Sequence, residues 1–203
     1  MPPTLAQNLF VSLVLVQLVQ PDPSPGAVLI TQTYKLAQRL QSSTTELLNA
    51  YLSAQGSPFS DPGFSALGLR WAGVPVATLP FLTWRTMGDA ERLSRSYGAY
   101  AAFDVFLQLV WDDQAELCPD CSELLAMLGS ARAQTRGLLA NLTSIMATMG
   151  VPAPPAADPL TSEAAGVGAF ERKCRGYVVC REYHSWVDRT VRDFTLLKAK
   201  YPA

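Results

Sequence analysis

The chain has 203 residues, of which 49% are apolar and 16% are charged, so it is long enough to bury one core and too apolar to be intrinsically disordered. Its net charge of −1 excludes a general electrostatic attraction to nucleic acid or to an anionic membrane. We therefore expect one domain with no nucleic-acid partner.

The first feature along the chain is an apolar run from Leu9 to Val19, followed by a breaker-rich stretch from Pro21 to Gly26. The run is too short to cross a bilayer and matches the apolar region of a secretory signal peptide, although no Lys or Arg precedes it. We expect residues 1–26 to be a signal peptide and leader, and residues 27–203 to form an exported domain with no membrane-inserted segment. The alternative is a ragged apolar N-terminus on a protein exported by another route.

Four long segments with apolar residues at helical spacing follow, and none shows the sustained period-two alternation of a strand. They are predicted at about residues 28–55, 84–113, 119–149 and 168–200. Long links rich in Pro, Gly and Ser join the first segment to the second and the third to the fourth, whereas a short link joins the second to the third. This order of connections predicts an all-α, long-chain four-helix bundle with up-up-down-down topology and two long crossover loops.

The apolar stripe of each segment predicts its buried face. In the second segment the stripe includes Ala90 and Trp111, and in the fourth it includes His184. Trp186 lies on the opposite, polar face of the fourth segment, together with Glu182, Arg189 and Asp193. A tryptophan exposed beside an arginine is typical of a binding hot spot. The alternative is that a neighbouring loop covers Trp186.

The four cysteines allow three pairings if all are oxidised, and the sequence does not choose among them. Cys174 and Cys180 lie six residues apart on one predicted helix, about 9 Å along its axis, too far to bridge each other. Cys118 and Cys121 have redox-dithiol spacing without the βα junction from which such motifs act. Structural or free thiols are the favoured interpretation.

No catalytic motif is present, and the chain has a single histidine, His184, which the apolar stripe makes a structural residue. We expect no enzyme activity, metal or cofactor. The sequence Asn141-Leu142-Thr143 fits an N-glycosylation acceptor, with Asn141 on the polar face of the third segment. The favoured interpretation is a helical protein that acts through its surface. The alternative is a helical carrier of an apolar small molecule, although Met127, Met146 and Met149 are more simply core filler.

Three stretches of the chain resemble a known family. They are FERKCRGYVVCREYHSWVDRTVRDFTLLKAK from Phe170, YLSAQGSPFSDPGF from Tyr51 and DAERLSR from Asp89, and the resemblance extends from about Ile30 to Tyr201. The chain is similar to the cardiotrophin and ciliary neurotrophic factor group of interleukin-6-type cytokines. This resemblance implies a secreted, neurotrophic four-helix cytokine, monomeric before receptor binding, that assembles ciliary neurotrophic factor receptor alpha, glycoprotein 130 and leukaemia inhibitory factor receptor and activates JAK/STAT signalling.

The resemblance also implies which residues bind receptors. Phe170 and Lys173 match the FxxK motif with which the family binds leukaemia inhibitory factor receptor. Trp84, and Trp186 with Arg189, match positions that the family uses for the alpha receptor; the spacing also allows Arg189 to lie over the indole as a cation–π pair and to reach Asp193. The glycoprotein 130 surface is expected on exposed parts of the first and third long helices, around Lys35, Gln38, Arg132 and Arg136, with no individual residue assigned.

Overall fold

The fold is described by a computed structural model that covers residues 24–155, 157–160 and 167–203. These residues form five α-helices and no strand: α1 Pro25–Gln55, α2 Phe81–Thr86, α3 Asp89–Leu117, α4 Ser122–Thr148 and α5 Ala169–Lys200. The segment from Gly56 to Pro80 is the first crossover loop, and the segment after Thr148 is the second. Most of the predicted signal peptide and leader lies outside the described residues.

Side-chain hydrogen bonds between helices give the direction of each helix. Gln41 and Tyr51 of α1 bond to Asp188 and Lys173 of α5, so these two helices are antiparallel. In α3, Arg92 pairs with Asp193 and Asp113 pairs with Arg175, so α3 is also antiparallel to α5. Helix α4 returns along α3, because Asp104 in the middle of α3 pairs with Arg132 and Arg136 while the indole of Trp111, nearer its end, donates to Leu125. The predicted all-α four-helix bundle with up-up-down-down topology is therefore confirmed.

Two predicted helix boundaries are wrong. The second predicted helix is interrupted, because Met87 and Gly88 adopt extended backbone conformations that separate the short α2 from α3. The third begins at Ser122 and not at residue 119, because Cys118 and Cys121 form a disulfide that closes the turn between α3 and α4. Cys174 and Cys180 do not bridge each other, as their spacing predicted; both are free thiols, and burial raises the pKa of Cys180 to about 12.

The core lies between the four long helices and follows most of the predicted stripes. In α4, Leu128, Leu138 and Leu142 are fully buried as predicted. Ala90 and Trp111 of α3 are exposed, contrary to prediction, because Ala90 lies in the first turn of α3 and Trp111 lies at the rim of the α3–α4 contact, where its indole donates to the carbonyl of Leu125 at 3.1 Å.

Two buried contacts fix α5 against α1 and α3 near its first turns. Gly176 allows close approach of α1, because a Cβ at this position would lie 2.1 Å from the hydroxyl of Tyr51. That hydroxyl donates to the carbonyl of Lys173 at 3.0 Å. Arg175 binds both carboxylate oxygens of Asp113 at 2.7 Å. His184, further along α5, is half-buried and bonds Thr44 of α1 at 3.0 Å, which confirms its predicted structural role.

Candidate functional site

The predicted functional residues lie in two groups, which α5 holds far apart. The Phe170 site consists of Phe170, Lys173 and the aromatic side chains beneath them, in the first turns of α5. The Trp84 site consists of Trp84 in α2, Arg92 in α3, and the α5 residues Trp186, Arg189 and Asp193. At 1.5 Å per residue, α5 places Lys173 and Asp193 about 30 Å apart. The two sites therefore lie at opposite ends of the bundle.

Phe170 presents an exposed aromatic ring on a buried aromatic base. It is the second residue of α5 and is 61% exposed. Its ring centroid lies 5.9 Å from that of Phe59, a buried residue of the first crossover loop. Phe59 in turn packs against Phe64 at 5.1 Å and Tyr177 at 6.4 Å. The ring is thus supported from below and open to solvent above, which suits an aromatic anchor in an interface.

Lys173 lies one turn further along α5, where it caps α1. Its Nζ donates to the carbonyl of Gln55, the last residue of α1, at 2.7 Å. Helix α1 has no basic residue of its own in its last turn, so Lys173 supplies the cation that the negative end of the helix dipole favours. Of the predicted pair, Phe170 is exposed, whereas the half-buried Lys173 is bound to the scaffold.

At the other end of α5, a single carboxylate organises the Trp84 site. Asp193 accepts a hydrogen bond from the indole Nε1 of Trp84 at 2.7 Å and an ion-paired bond from Arg92 at 2.5 Å. Arg92 also lies over the Trp84 ring, 5.0 Å from its centroid, and donates to the Trp84 carbonyl. These contacts fasten α2 to α3 and α5. Trp84 itself is half-buried.

The predicted exposure of Trp186 is wrong. This side chain is 5% exposed, and its Nε1 donates to the carbonyl of Pro75 in the first crossover loop at 3.1 Å. The geometry predicted between Trp186 and Arg189 is confirmed, because the guanidinium lies 4.5 Å from the ring centroid. The Nε of Arg189 is 3.6 Å from a carboxylate oxygen of Asp193, which confirms the predicted ion pair. The contacts of Arg189 with Trp186 and Asp193 were therefore predicted correctly, but a loop covers them.

The loop covers this face because its backbone requires hydrogen-bond partners. The first crossover loop contains no regular secondary structure, so its buried N–H and C=O groups must bond to side chains or water. Arg181 donates to the carbonyls of Ala66 and Leu69, each at 2.7 Å, and Glu182 accepts from the N–H of Ala77 at 3.2 Å. The polar stripe of α5 is therefore a docking face for this loop, and the spacing of Glu182, Trp186, Arg189 and Asp193 was its signal in the sequence.

The exposed part of the Trp84 site is apolar and lies on α2. Phe81 is 63% exposed and Leu82 is 72% exposed, and the Phe81 ring centroid lies 6.0 Å from that of Trp84. Beside them is a cleft of about 520 Å³, which α2, the end of the first crossover loop and α5 enclose. Arg192 lines the cleft and makes no ion pair with any residue in the described ranges. The surface combines exposed apolar side chains with a free cation.

The remaining predicted surface residues lie on α1 and α4. Lys35 and Gln38 are exposed on α1, and Arg136 is exposed on α4. Arg132 and Arg136 share the carboxylate of Asp104 at 3.0 and 2.9 Å, so part of their charge is already neutralised. Asn141, the glycosylation candidate, is partly exposed within α4.

Comparison with known proteins gives matches over nearly the whole chain. The family model described as plethodontid receptivity factor (PRF) matches residues 9–203. Cardiotrophin-2 of Mus musculus is 52% identical over 94% of this chain and 96% of its own length. Cardiotrophin-1 of Rattus norvegicus is 35% identical over 81% and 82%, and ciliary neurotrophic factor of Sus scrofa is 27% identical over 84% and 83%. These matches confirm the resemblance to cardiotrophin-2 and its group.

None of the helices in the described part of the chain has the length and apolarity required to cross a bilayer.

Proposed function

Because the chain belongs to the cardiotrophin and ciliary neurotrophic factor group of interleukin-6-type cytokines, we propose that it is a secreted ligand that assembles a cell-surface receptor complex. The proposed partners are ciliary neurotrophic factor receptor alpha, glycoprotein 130 and leukaemia inhibitory factor receptor. Assembly brings the last two together and activates JAK/STAT signalling. The chain itself catalyses no reaction in this proposal and is monomeric until it meets a receptor.

The Phe170 site is proposed to bind leukaemia inhibitory factor receptor. The single observation that carries this assignment is the exposed Phe170 ring on its aromatic base at the start of α5. A rigid, supported ring loses little conformational entropy when a partner covers it, and for this reason aromatic anchors dominate many interfaces. Lys173 contributes by fixing the start of α5 to the end of α1.

The Trp84 site is proposed to bind the alpha receptor through α2. Phe81, Leu82 and the exposed edge of Trp84 supply the apolar contact, and Arg192 supplies a cation at its rim. Trp186 and Arg189 act beneath this surface, where they hold the first crossover loop and, through Asp193, position α2. Their importance for binding is therefore indirect.

The separation of the two sites supports assembly. Two receptors bound about 30 Å apart, at opposite ends of one rigid bundle, do not compete for the same surface. Glycoprotein 130 is proposed to bind the exposed parts of α1 and α4, around Lys35, Gln38 and Arg136. One ligand then presents three surfaces at once.

The test is binding of the purified chain to immobilised ectodomains of the three receptors. Phe170→Ala is expected to weaken binding to leukaemia inhibitory factor receptor only, and the double substitution Phe81→Ala with Leu82→Ala to weaken binding to the alpha receptor only. Trp111→Ala is the matched control, because Trp111 is an exposed aromatic outside both sites. Equal loss from all three variants, or binding to none of the ectodomains, would contradict the proposal.

A further inference from the structure

A cavity of about 380 Å³ adjoins the α2 cleft, with which it shares Thr78, Leu79 and Arg189. Its floor includes Trp186 and Arg189. Its walls come from α3, the first crossover loop and four described residues of the second crossover loop, Pro154, Pro155, Ala157 and Pro159. The α3 wall includes the small residues Gly98, Ala101 and Ala102 beside the larger Arg95 and Tyr97. The volume lies within the range of sites that hold small molecules, and such sites combine an apolar lining with a few polar groups.

The buried charges below this cavity do not balance. Arg92 and Arg189 are each 3% exposed, and both pair with the single carboxylate of Asp193. An arginine does not lose its proton in a protein, so, counted over the described residues, the cluster of Arg92, Arg189 and Asp193 carries one positive charge in excess. Burial lowers the pKa of Arg189, with Arg95 and Arg92 acting in the same direction. A buried excess cation is costly unless an anion compensates it.

The hydrogen bonds of Arg189 are also incomplete. Its Nη1 donates to the carbonyl of Ala77 at 3.4 Å, and its Nη2 faces the sulfur of Met87 at 3.8 Å, so both contacts are long. Its buried Nε has no hydrogen-bond partner, since Asp193 lies beyond bonding distance at 3.6 Å. A guanidinium with five donors is therefore weakly satisfied at the floor of an apolar cavity.

We propose that this cavity binds a small amphiphilic carboxylate. Arg189 binds the carboxylate, and the apolar body lies against Trp186 and the small residues of α3. Arg95 at the cavity wall, whose guanidinium also pairs with Glu91 at 2.9 Å, assists. The apolar lining favours an organic carboxylate over a small, strongly hydrated anion such as phosphate. A carboxylate can accept two parallel bonds from one guanidinium, which neutral ligands cannot match. The floor of this cavity, Trp186 and Arg189, lies beneath the proposed alpha-receptor surface, but the test of the cavity needs no receptor.

The test uses decanoate as the probe and decanol as its uncharged counterpart. The indole N–H resonance of Trp186, identified by its absence in Trp186→Phe, reports on the cavity floor. Decanoate is expected to shift this resonance saturably with one site per chain, and decanol to bind about tenfold more weakly or less, as the loss of a charged hydrogen bond predicts. Equal affinity for the two compounds, or no shift with decanoate, would overturn the proposal.

Two variants locate the site. Gly98→Leu fills the cavity and is expected to abolish the shift, since a Cβ at Gly98 meets no atom within 4 Å and the fold tolerates it. Gly137→Leu is the matched control, because Gly137 is also helical and equally open but lies on α4, outside the cavity. Arg95→Gln is expected to weaken decanoate binding severalfold and to leave decanol unchanged. Wild-type decanoate affinity in both Gly98→Leu and Arg95→Gln would place the ligand elsewhere and overturn the assignment.

Discussion

The Phe170 site and the Trp84 site both place an aromatic ring and a basic residue on α5, but they use these residues in opposite ways. In the Phe170 site the ring is open to solvent, and the lysine is bound to the end of α1. In the Trp84 site the ring of Trp186 and the guanidinium of Arg189 are both buried under a loop. The comparison teaches that an aromatic–cation pair on the polar face of a helix does not by itself indicate an exposed contact.

The difference follows from what lies opposite each pair. The first crossover loop crosses the second half of α5 with backbone groups that need partners, and Arg181, Glu182, Trp186 and Arg189 supply them. Near the first turn of α5, the loop contributes aromatic side chains that pack beneath Phe170 and leave its outer surface free. We therefore expect substitutions in the Trp84 site to change stability, and Phe170 to change binding.

Asp193→Asn is expected to give the largest effect. It removes the carboxylate of Asp193, the one carboxylate in the described part of the chain that pairs with both Arg92 and Arg189, and leaves two buried guanidiniums without this partner. Breaking a buried ion pair by removing one partner costs about 3–5 kcal/mol. Urea unfolding measures this loss, and Asp188→Asn, a half-exposed position on the same helix, is the control. A loss below about 1 kcal/mol would mean that the cluster does not hold α2 and α3 to α5.

Trp186→Ala is expected to cost about 3 kcal/mol in the free energy of unfolding, at the lower end for a buried tryptophan, because loop residues can relax into part of the cavity. The substitution also removes the hydrogen bond to Pro75. The same unfolding experiment on Trp111→Ala is expected to show a smaller loss, because Trp111 is 37% exposed, although its indole hydrogen bond to Leu125 is also removed. Unchanged stability in Trp186→Ala would contradict the burial of Trp186 and favour the exposed position that the helix pattern predicts.

Phe170→Ala is expected to weaken receptor binding and to leave the stability of the fold nearly unchanged. The free energy of unfolding should fall by less than about 1 kcal/mol, because most of the ring is already in water. Binding to leukaemia inhibitory factor receptor should weaken by about 2 kcal/mol or more, the loss typical of a hot spot. Unfolding and receptor binding are measured on the same preparation. A variant that loses stability and keeps its affinity would show that Phe170 belongs to the scaffold.

The sequence predicts the four-helix bundle well because its stripes and loop lengths are local properties of the chain. The Leu128, Leu138 and Leu142 stripe of α4 predicts burial at every one of these positions, and the long, short and long connections predict the topology. The break at Met87 and Gly88 was missed because the residues on either side of it keep helical spacing. Periodicity reports which residues share a face and not where the backbone leaves the helix.

The candidate sites were predicted less completely, because exposure depends on contacts between distant segments. The pairing of Arg189 with Trp186 and Asp193 follows from spacing within one helix and is confirmed. The cover provided by Pro75 and its neighbours depends on the path of a loop more than 100 residues earlier in the chain, which no helical pattern encodes. For the same reason, the sequence alone did not indicate the roles of Phe81 and Arg92.

Lys173→Gln is expected to give the smallest effect. It decides whether Lys173 contacts the receptor or only holds α5 to α1. It removes the cation from the negative end of α1, which costs about 0.5 kcal/mol and less at high salt, because the dipole interaction is screened. Lys35→Gln, an exposed position within α1, is the charge-matched control and should be neutral. If Lys173→Gln weakens receptor binding by more than this stability loss, Lys173 must leave Gln55 to contact the partner. The Phe170 site would then use both of its residues for receptor recognition, whereas Arg189 in the Trp84 site makes no direct receptor contact in the proposal.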